Sequence, residues 1–341
     1  MDSEGQPVTI RDIARHAGVS SSTVSRVLNG TTPVHAAKRR AVLEAIEALG
    51  YRPNIVAQGL ARAHSRAVGV LTEEIASSFY GQIAGAIEDG LRGTGYYPVF
   101  ASGRAELQAT QALQLLSDSR IGALIVVGGR MLDNHLLRMH TQHRVPVIVI
   151  GRSIMGMEEH CVHVENLEGA ASATRHLIEL GHRRIAHVAG VAGHRHTLDR
   201  VEGYRKALAQ AGIEYDPALV VSGDFDEDSG YRAVRGLLDR GVAFTAVFAA
   251  SDQMAYGAAL TLYEHDLCVP KDVSLVGFDD QLHAMYCVPP LTTVRQPSVE
   301  MGQAAVAALL DLLLGRPFEL PTFRTELIVR RSTAPPKATA D

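Results

Sequence analysis

Tryptophan is absent, and phenylalanine and tyrosine bring the aromatic share to only 5%. That argues against a protein organised around aromatic stacking platforms. Cysteine is scarce: Cys161, Cys268 and Cys287 stand alone, without metal-type spacing. A sparse, odd set fits reduced thiols in the cytoplasm rather than a disulfide framework. Apolar runs such as Val145–Ile150 fall far short of the ~20 residues of a membrane span. The polar start, MDSEGQPVTIRD, lacks the apolar stretch of a secretory signal, so an exported chain is not expected. Gly190–Gly193 fits neither the phosphate loop nor the dinucleotide fingerprint. No Ser-His-Asp or paired-carboxylate spacing stands out, so the sequence makes no case for an enzyme or a cofactor. His194 and His196 lack a third ligand nearby, so no metal is expected.

What is present is an ordinary globular mix, 46% hydrophobic and 21% charged, enough to bury large cores. At roughly 150 residues per domain, 341 residues suggest two domains and a small extra module. The net charge of −4 hides a polarity. Residues 1–66 carry nine Lys/Arg against five Asp/Glu, a net of +4, which leaves −8 for the remainder. A basic head on an acidic body is expected where only the head meets a polyanion.

The head reads as three short helices. Thr9 caps the first, Ile10–His16, with Asp12 placed as in a capping box. Gly18 supplies a turn, Ser20 caps a second helix over Ser21–Leu28, and Asn29-Gly30 ends it. The third, Ala36–Leu49, stops at Gly50. Helix, glycine turn, helix is the helix-turn-helix pattern. Its second helix shows Ser21, Ser22, Ser25, Arg26 and Asn29, short donors and acceptors plus a guanidinium suited to base edges and phosphates. With Thr9, Ser20 and Thr23 these are the candidate DNA contacts. Taken alone, the same face also suits a plain solvated helix.

From residue 67 onward, short β-rich runs alternate with amphipathic helices. Strands are expected at Ala67–Leu71, Tyr97–Ala101, Ala123–Val127 and Val147–Ile150, separated by helices Tyr80–Arg92, Ala105–Ser117 and Leu132–His140. A second series has helices Leu167–Leu180, Arg200–Ala211, Ser229–Asp239 and Gln253–Asp266, with strands Ile185–Ala189, Ala246–Phe248 and Ser274–Val276. Such alternation predicts parallel sheets covered on both faces by helices, a doubly wound α/β body.

The residues VTIRDIARHAGVSSSTVSRVLNG and ALGYRPNIVAQGLA closely resemble the head of the lactose/galactose repressor (LacI/GalR) family. The likeness runs on through ATRHLIELGHRRIAHVAG, DRVEGYRKAL, FTAVFAASDQMAYGA, VSLVGFDD and PPLTTVRQP to about Thr333, and is strongest toward the galactose repressor branch. The resemblance implies a helix-turn-helix domain over 1–52 and a hinge helix and linker over 53–66. It also implies a two-lobed, periplasmic-binding-protein-like effector and dimerisation domain over 67–333, followed by a flexible tail, 334–341. The lobes are expected at about 67–164 with 292–323, and 165–291 with 324–333. The strand Thr292–Arg295 and the helix Ser298–Leu314 thus return to the first lobe and Glu326–Val329 to the second.

A helix as short as 54–61, with Gly59 inside it, should not hold alone in water. In the family it orders on operator DNA. Leu60 matches the family's minor-groove wedge, which unstacks base steps, and Asn54 and Ala57 match positions along the same groove. Read alone, Leu60 is equally an ordinary packed linker residue.

Ligands of open α/β sheets sit beyond the carboxyl ends of strands, and the resemblance points to the same loops. It implies Phe79 and Phe225 as aromatic walls, Arg200 as a fork of donors, Asp279 as an acceptor of sugar hydroxyls, and His194 and His196 as specificity positions. Ser251-Asp252 stands where many relatives have Asn-Asp, and Gly151-Arg152 where some have an acid or amide, which puts the ligand's identity in doubt. An Arg-Asp pair can equally be a structural salt bridge, and both phenylalanines can be core. The expectation is a cytoplasmic, homodimeric repressor that binds a near-palindromic double-stranded operator and is released by a small mono- or disaccharide. The alternatives are a co-repressor-type regulator whose ligand strengthens DNA binding, and a sugar-binding module without DNA regulation. With no heptad tail after Arg331, a dimer is expected rather than a tail-linked tetramer.

Overall fold

The computed structural model describes residues 8–29, 33–51, 65–129 and 132–337. The chain divides into two compact units, Met1–Arg66 and Ala67–Asp341.

The first unit contains α1 (Ile10–His16), α2 (Ser21–Asn29) and α3 (Ala36–Ala48). The Asp12 carboxylate accepts from the Thr9 backbone N–H at 3.0 Å and from its hydroxyl at 2.6 Å, closing the start of α1. Ser20 Oγ accepts from the Thr23 N–H at 3.2 Å and caps α2. Between them Gly18 takes φ +62°, which a residue with a Cβ rarely adopts. Ile13, Ala14, Val24, Val42 and Ala45 form the shared core, one small apolar stripe from each helix. The expected hinge over residues 54–61, with Asn54, Ala57 and Leu60, lies outside the described residues.

The second unit holds two six-stranded sheets. The first is built from β1 (Ala67–Thr72), β2 (Tyr97–Ser102), β3 (Ala123–Val127), β4 (Val147–Ile150), β5 (Cys161–Val164) and β11 (Thr322–Phe323). Helices α4 (Ser78–Leu91), α5 (Glu106–Asp118) and α6 (Asp133–Thr141) connect its strands. The second sheet is built from β6 (Ile185–Ala189), β7 (Val220–Ser222), β8 (Ala246–Ala249), β9 (Ser274–Asp279), β10 (Thr292–Arg295) and β12 (Glu326–Ile328). Its helices are α7 (Asn166–Glu179), α8 (Arg195–Gln210), α9 (Glu227–Asp239) and α10 (Asp252–Glu264). A last helix, α11 (Ser298–Leu313), packs on α4 in the first lobe. The strand orders are β11-β5-β4-β3-β1-β2 and β12-β10-β9-β8-β6-β7, parallel throughout except β10–β12. Strands β1, β3, β4, β6, β8 and β9 are buried along their whole length, as covering on both faces demands.

Several expectations need correction. Thr292–Arg295 stays in the second lobe, pairing parallel with β9 and antiparallel with β12. Thr292, Thr293 and Val294 are fully buried there, and Thr293 Oγ1 donates to Asp252 at 2.5 Å, so the return to the first lobe begins only at Gln296-Pro297. Helix α8 starts at Arg195, five residues before the expected Arg200, because the break at Gly193 (φ +79°) directly precedes an extended N-cap at His194. Strands β5, β7 and β11, of four, three and two residues, were too short to register as periodic patterns. The tail is tied down through residue 337: Ala334 O accepts from His182 Nε2 at 2.9 Å, Ala334 N–H donates to Ser274 Oγ at 2.9 Å, and Lys337 pairs with Asp272.

Candidate functional site

Two sites were expected. On the head, Ser21, Ser22 and Arg26 are exposed on α2, and Arg26 forms no ion pair with a described residue. Ser20 Oγ lies 2.8 Å from Ser22 Oγ and 2.9 Å from Thr23 Oγ1, so these hydroxyls form a small network at the helix start. Thr9's hydroxyl is committed to Asp12. Ser25 is half-buried, and Asn29 ends α2 with its side chain outside the described residues. The resulting surface is a row of short polar groups with a long guanidinium at its end.

In the second unit, the carboxyl ends of both sheets face a narrow cleft of about 60 Å³, room for only a few water molecules. Phe79, Tyr80, Val127, Ile150 and Met301 line it from the first lobe. Asn166, His196, Arg200, Phe225, Ser251, Gln253 and Asp279 line it from the second, and Gln296 from the segment that crosses between them. Ser77 Oγ donates to Gln253 Oε1 across the cleft at 2.7 Å, and Arg104 pairs with Asp226 at 3.1 Å at its edge.

Arg200, 4% exposed, is positioned by α8. Its Nε donates to Asn166 Oδ1 at 3.0 Å, Nη1 donates to the Ala250 carbonyl, and Nη2 sits 3.9 Å from Asp279 Oδ1. The guanidinium also stacks 3.8 Å above the Phe278 ring. Asp279 ends β9 with φ +116°, followed by Asp280 at +55°, a strained turn for two non-glycine residues. The surroundings hold it firmly: Asp280 pairs with Arg295 at 2.8 Å and Arg330 at 2.6 Å, and Gln281 N–H donates to Asp252 at 2.7 Å. Asp279 Oδ1 accepts from Gln296 Nε2 at 2.7 Å. Burial pushes its pKa up to about 6 against the pull of Arg200 and the amide donors.

Phe225 also adopts a left-handed backbone, φ +62°. Its ring lies against Gly190, where a Cβ would come within 1.9 Å of it, so glycine there makes room for the aromatic wall. His196 stands edge-on, 6.1 Å away. Burial, and the nearby charge of Arg200, hold its imidazole well below the usual range, hence neutral. The site therefore offers a ring-shaped apolar surface beside a few directed donors and acceptors, which is how a protein holds a small polyhydroxylated molecule.

Two expected residues sit elsewhere. Asp252 is fully buried behind the cleft, accepting from Gln281 N–H and Thr293 Oγ1. Burial and neighbouring Asp279 hold its pKa well above the carboxylate range. It positions the turn that carries Asp279 rather than facing a ligand. His194 belongs to an adjoining cavity with Thr72, Glu73, Arg104 and Arg152. Ser251 lines the cleft, yet its Oγ accepts from Met254 N–H at 3.1 Å as the N-cap of α10. Sequence reasoning missed Tyr80, Asn166, Gln253 and Gln296. Tyr80, Asn166 and Gln253 stood at the edges of predicted helices, and Gln296 lies on the connection from β10 to α11, which carries no periodic signal.

Comparison with known proteins shows the family and the fold. Residues 9–54 match the model of bacterial regulatory proteins of the lacI family, and residues 174–333 that of the periplasmic binding protein-like domain. The chain is 38% identical over 336 residues to the HTH-type transcriptional regulator GalR of Escherichia coli (strain K12), covering 97% of each chain. Among solved structures it resembles a complex of the transcriptional regulator CelR with cellobiose, at 36% identity and TM-score 0.71, covering 95% of this chain and 99% of that one. It also resembles a lac repressor dimer bound to operator and the anti-inducer ONPF, at 31% identity and TM-score 0.84, covering 96% and 100%.

Proposed function

The chain belongs to the lacI family of bacterial regulatory proteins, and within that family we propose that it is a repressor released from its operator by a small sugar held between the two lobes. The observation that carries the sugar reading is the pairing of Arg200 and Asp279 beside the Phe225 ring in one desolvated cleft. The proposed DNA contacts are Ser21, Ser22, Ser25, Arg26 and Asn29 on α2, with Thr9, Ser20 and Thr23 at the helix starts. On the sequence alone they extend to Asn54, Ala57 and Leu60. The reading is of a binding protein rather than an enzyme, working in the cytoplasm, where operator DNA is.

A cleft of about 60 Å³ is too tight for a sugar ring, so the lobes must part to admit it and close again on it. The chain crosses between the lobes at residues 165, 296–297 and 324–325, and these crossings are the proposed pivots. The ligand shifts DNA affinity only by its differential affinity for the two states, and DNA must weaken ligand binding by the same factor.

A homodimer supplies the second recognition helix for a near-palindrome. Tyr263 (79% exposed), Tyr286 (69%) and Val288 (96%) crowd one face of the second lobe beside a groove of about 840 Å³. A contiguous apolar surface of this kind marks an association site, and a second copy of the chain is the proposed occupant. Sedimentation of Tyr286→Asp should show a smaller species than the parent protein; an unchanged species sinks this face as the interface.

The reading as a whole is tested by electrophoretic shift with near-palindromic operator DNA, titrated with mono- and disaccharides. Release by one sugar is expected. A sugar that strengthens the complex would instead establish the co-repressor sign. Arg26→Ala should weaken the complex by about 1–3 kcal/mol, and affinity should fall steeply with salt.

A further inference from the structure

We infer that Arg330, which does not line the cleft, is a positioning residue for the ligand: it decides which of two adjacent carboxylates, Asp279 or Asp280, faces the sugar. This rests on the sugar reading above and deepens it.

Strand β9 ends in Asp279, and Asp280 follows it; both side chains are only 7% exposed. Two ionised carboxylates cannot share one desolvated spot, so each needs its own donors. Asp279 lines the cleft, where Arg200 Nη2 lies 3.9 Å away and Gln296 Nε2 donates to it at 2.7 Å. Asp280 does not line the cleft. One of its oxygens accepts from Arg330 Nη2 at 2.6 Å and the other from Arg295 Nε at 2.8 Å. The backbone φ of +116° and +55° at these two residues persists only where the surroundings enforce it.

Arg330 is placed to enforce it. Its own N–H donates to Thr292 Oγ1 at 2.9 Å, and its Nη1 donates to the Leu291 carbonyl at 2.8 Å. The guanidinium is thereby fixed between the segment after β12 and the start of β10 while it holds Asp280. Its side chain is 16% exposed, against 48% for Arg295, so its charge is the less screened of the two. On the other side of the turn Asp252 accepts from Gln281 N–H at 2.7 Å. Without Arg330 the buried Asp280 loses the stronger of its two cations, and a buried carboxylate short of a partner is costly. Relief comes from swinging Asp280 out to water. The two residues share a peptide, so Asp279 turns with it, away from Arg200 and Gln296.

Calorimetry on the full chain tests this. The probe is whichever of D-galactose, D-glucose and cellobiose the parent protein binds most tightly, at a temperature where melts show every variant folded. Arg330→Met keeps the bulk of the side chain without its charge and should bind about tenfold more weakly. Arg330→Lys should recover most of that loss. Asp280→Gly leaves no second carboxylate to place, and glycine takes a left-handed backbone unaided. Adding Arg330→Met to it should therefore cost less than about twofold, whereas an arginine that only braces the fold would cost the same in either background. Should Arg330→Met not fold, Arg295→Met takes its place in the same cycle, with an expected loss of about threefold. Binding by the methionine variant equal to the parent's, a lysine variant as weak as the methionine one, or equal losses in both backgrounds overturns the inference and leaves the sugar reading standing. A parent protein that binds none of the three sugars overturns the sugar reading, and this inference with it.

Discussion

The two lobes carry sheets of the same strand order, differing only in that the edge strand β12 is antiparallel where β11 is parallel, yet they bury different things. The first lobe buries Arg152 and His160 away from the cleft, and what it gives the cleft is mostly rings and aliphatic side chains: Phe79, Val127, Ile150 and Met301. The second buries charge and polarity: Arg200, Asp252, Asp279, His187 and Asn166 are all at most 7% exposed. One frame, used twice, thus supplies a hydrophobic cover on one side and a hydrogen-bonding floor on the other. The backbone sets where the two meet; the side chains on each set what the meeting can hold.

The sharpest way to break this asymmetry is Arg200→Ala. It leaves Asp279 and Asn166 without their buried partner, a loss of about 3–5 kcal/mol in stability. Ligand response should vanish while DNA binding persists at temperatures where the protein is folded. Retained release by sugar would show that the second lobe's charges are scaffold only.

Acid should come next. His187 is fully buried between Tyr204 and Phe248, donating through Nδ1 to the Phe248 carbonyl at 2.9 Å. Burial lowers its pKa from 6.5 to about 4. A folded-state value below the unfolded one means the stability is present above pH 6.5 and is lost as pH falls through about 4. The expected loss is about 3 kcal/mol. Asp279 works in the opposite sense between about pH 4 and 6, since its folded value is raised. Thermal melts of His187→Phe should therefore show a flatter acid limb than the parent protein. An unchanged limb would place the titration elsewhere.

Phe79→Ala tests the apolar cover. It should weaken sugar binding about tenfold, roughly 1.4 kcal/mol, without changing the acid limb. An effect as large as that of Arg200→Ala would erase the distinction between cover and floor. The smallest effect belongs to Arg104→Ala at the cleft edge. Its side chain is 40% exposed, so the pair with Asp226 is screened and its loss should cost under about 1 kcal/mol in a denaturant melt. A much larger shift would mean the lobes are held together mainly by this pair.

Much of this architecture is legible in the order of residues. Thr9, Asp12, Gly18 and Ser20 announce the head's helix boundaries, because caps and left-handed turns are local requirements met by a few residue types. The helices and the longer strands are likewise marked by periodicity. Phe79, His196, Arg200, Phe225, Ser251 and Asp279, expected at one ligand site, do surround one cleft. The failures have a common cause. Asp252 sits next to Ser251 in sequence, but the first turn of α10 sends it inward to Thr293 and Gln281. Thr292–Arg295 reads like any other strand, and only its partners β9 and β12 place it in the second lobe.

By itself the sequence determined which segments coil or extend and where the basic head ends and the acidic body begins, because those depend on neighbours a few residues away. The tertiary structure alone decided which carboxylate faces the cleft and which is buried behind it, how Gly190 makes room for Phe225, and that Arg200 has Asp279 as its acidic neighbour. Those outcomes depend on groups tens to hundreds of residues apart in the chain. Packing brings them within a few ångströms, where burial and charge act together.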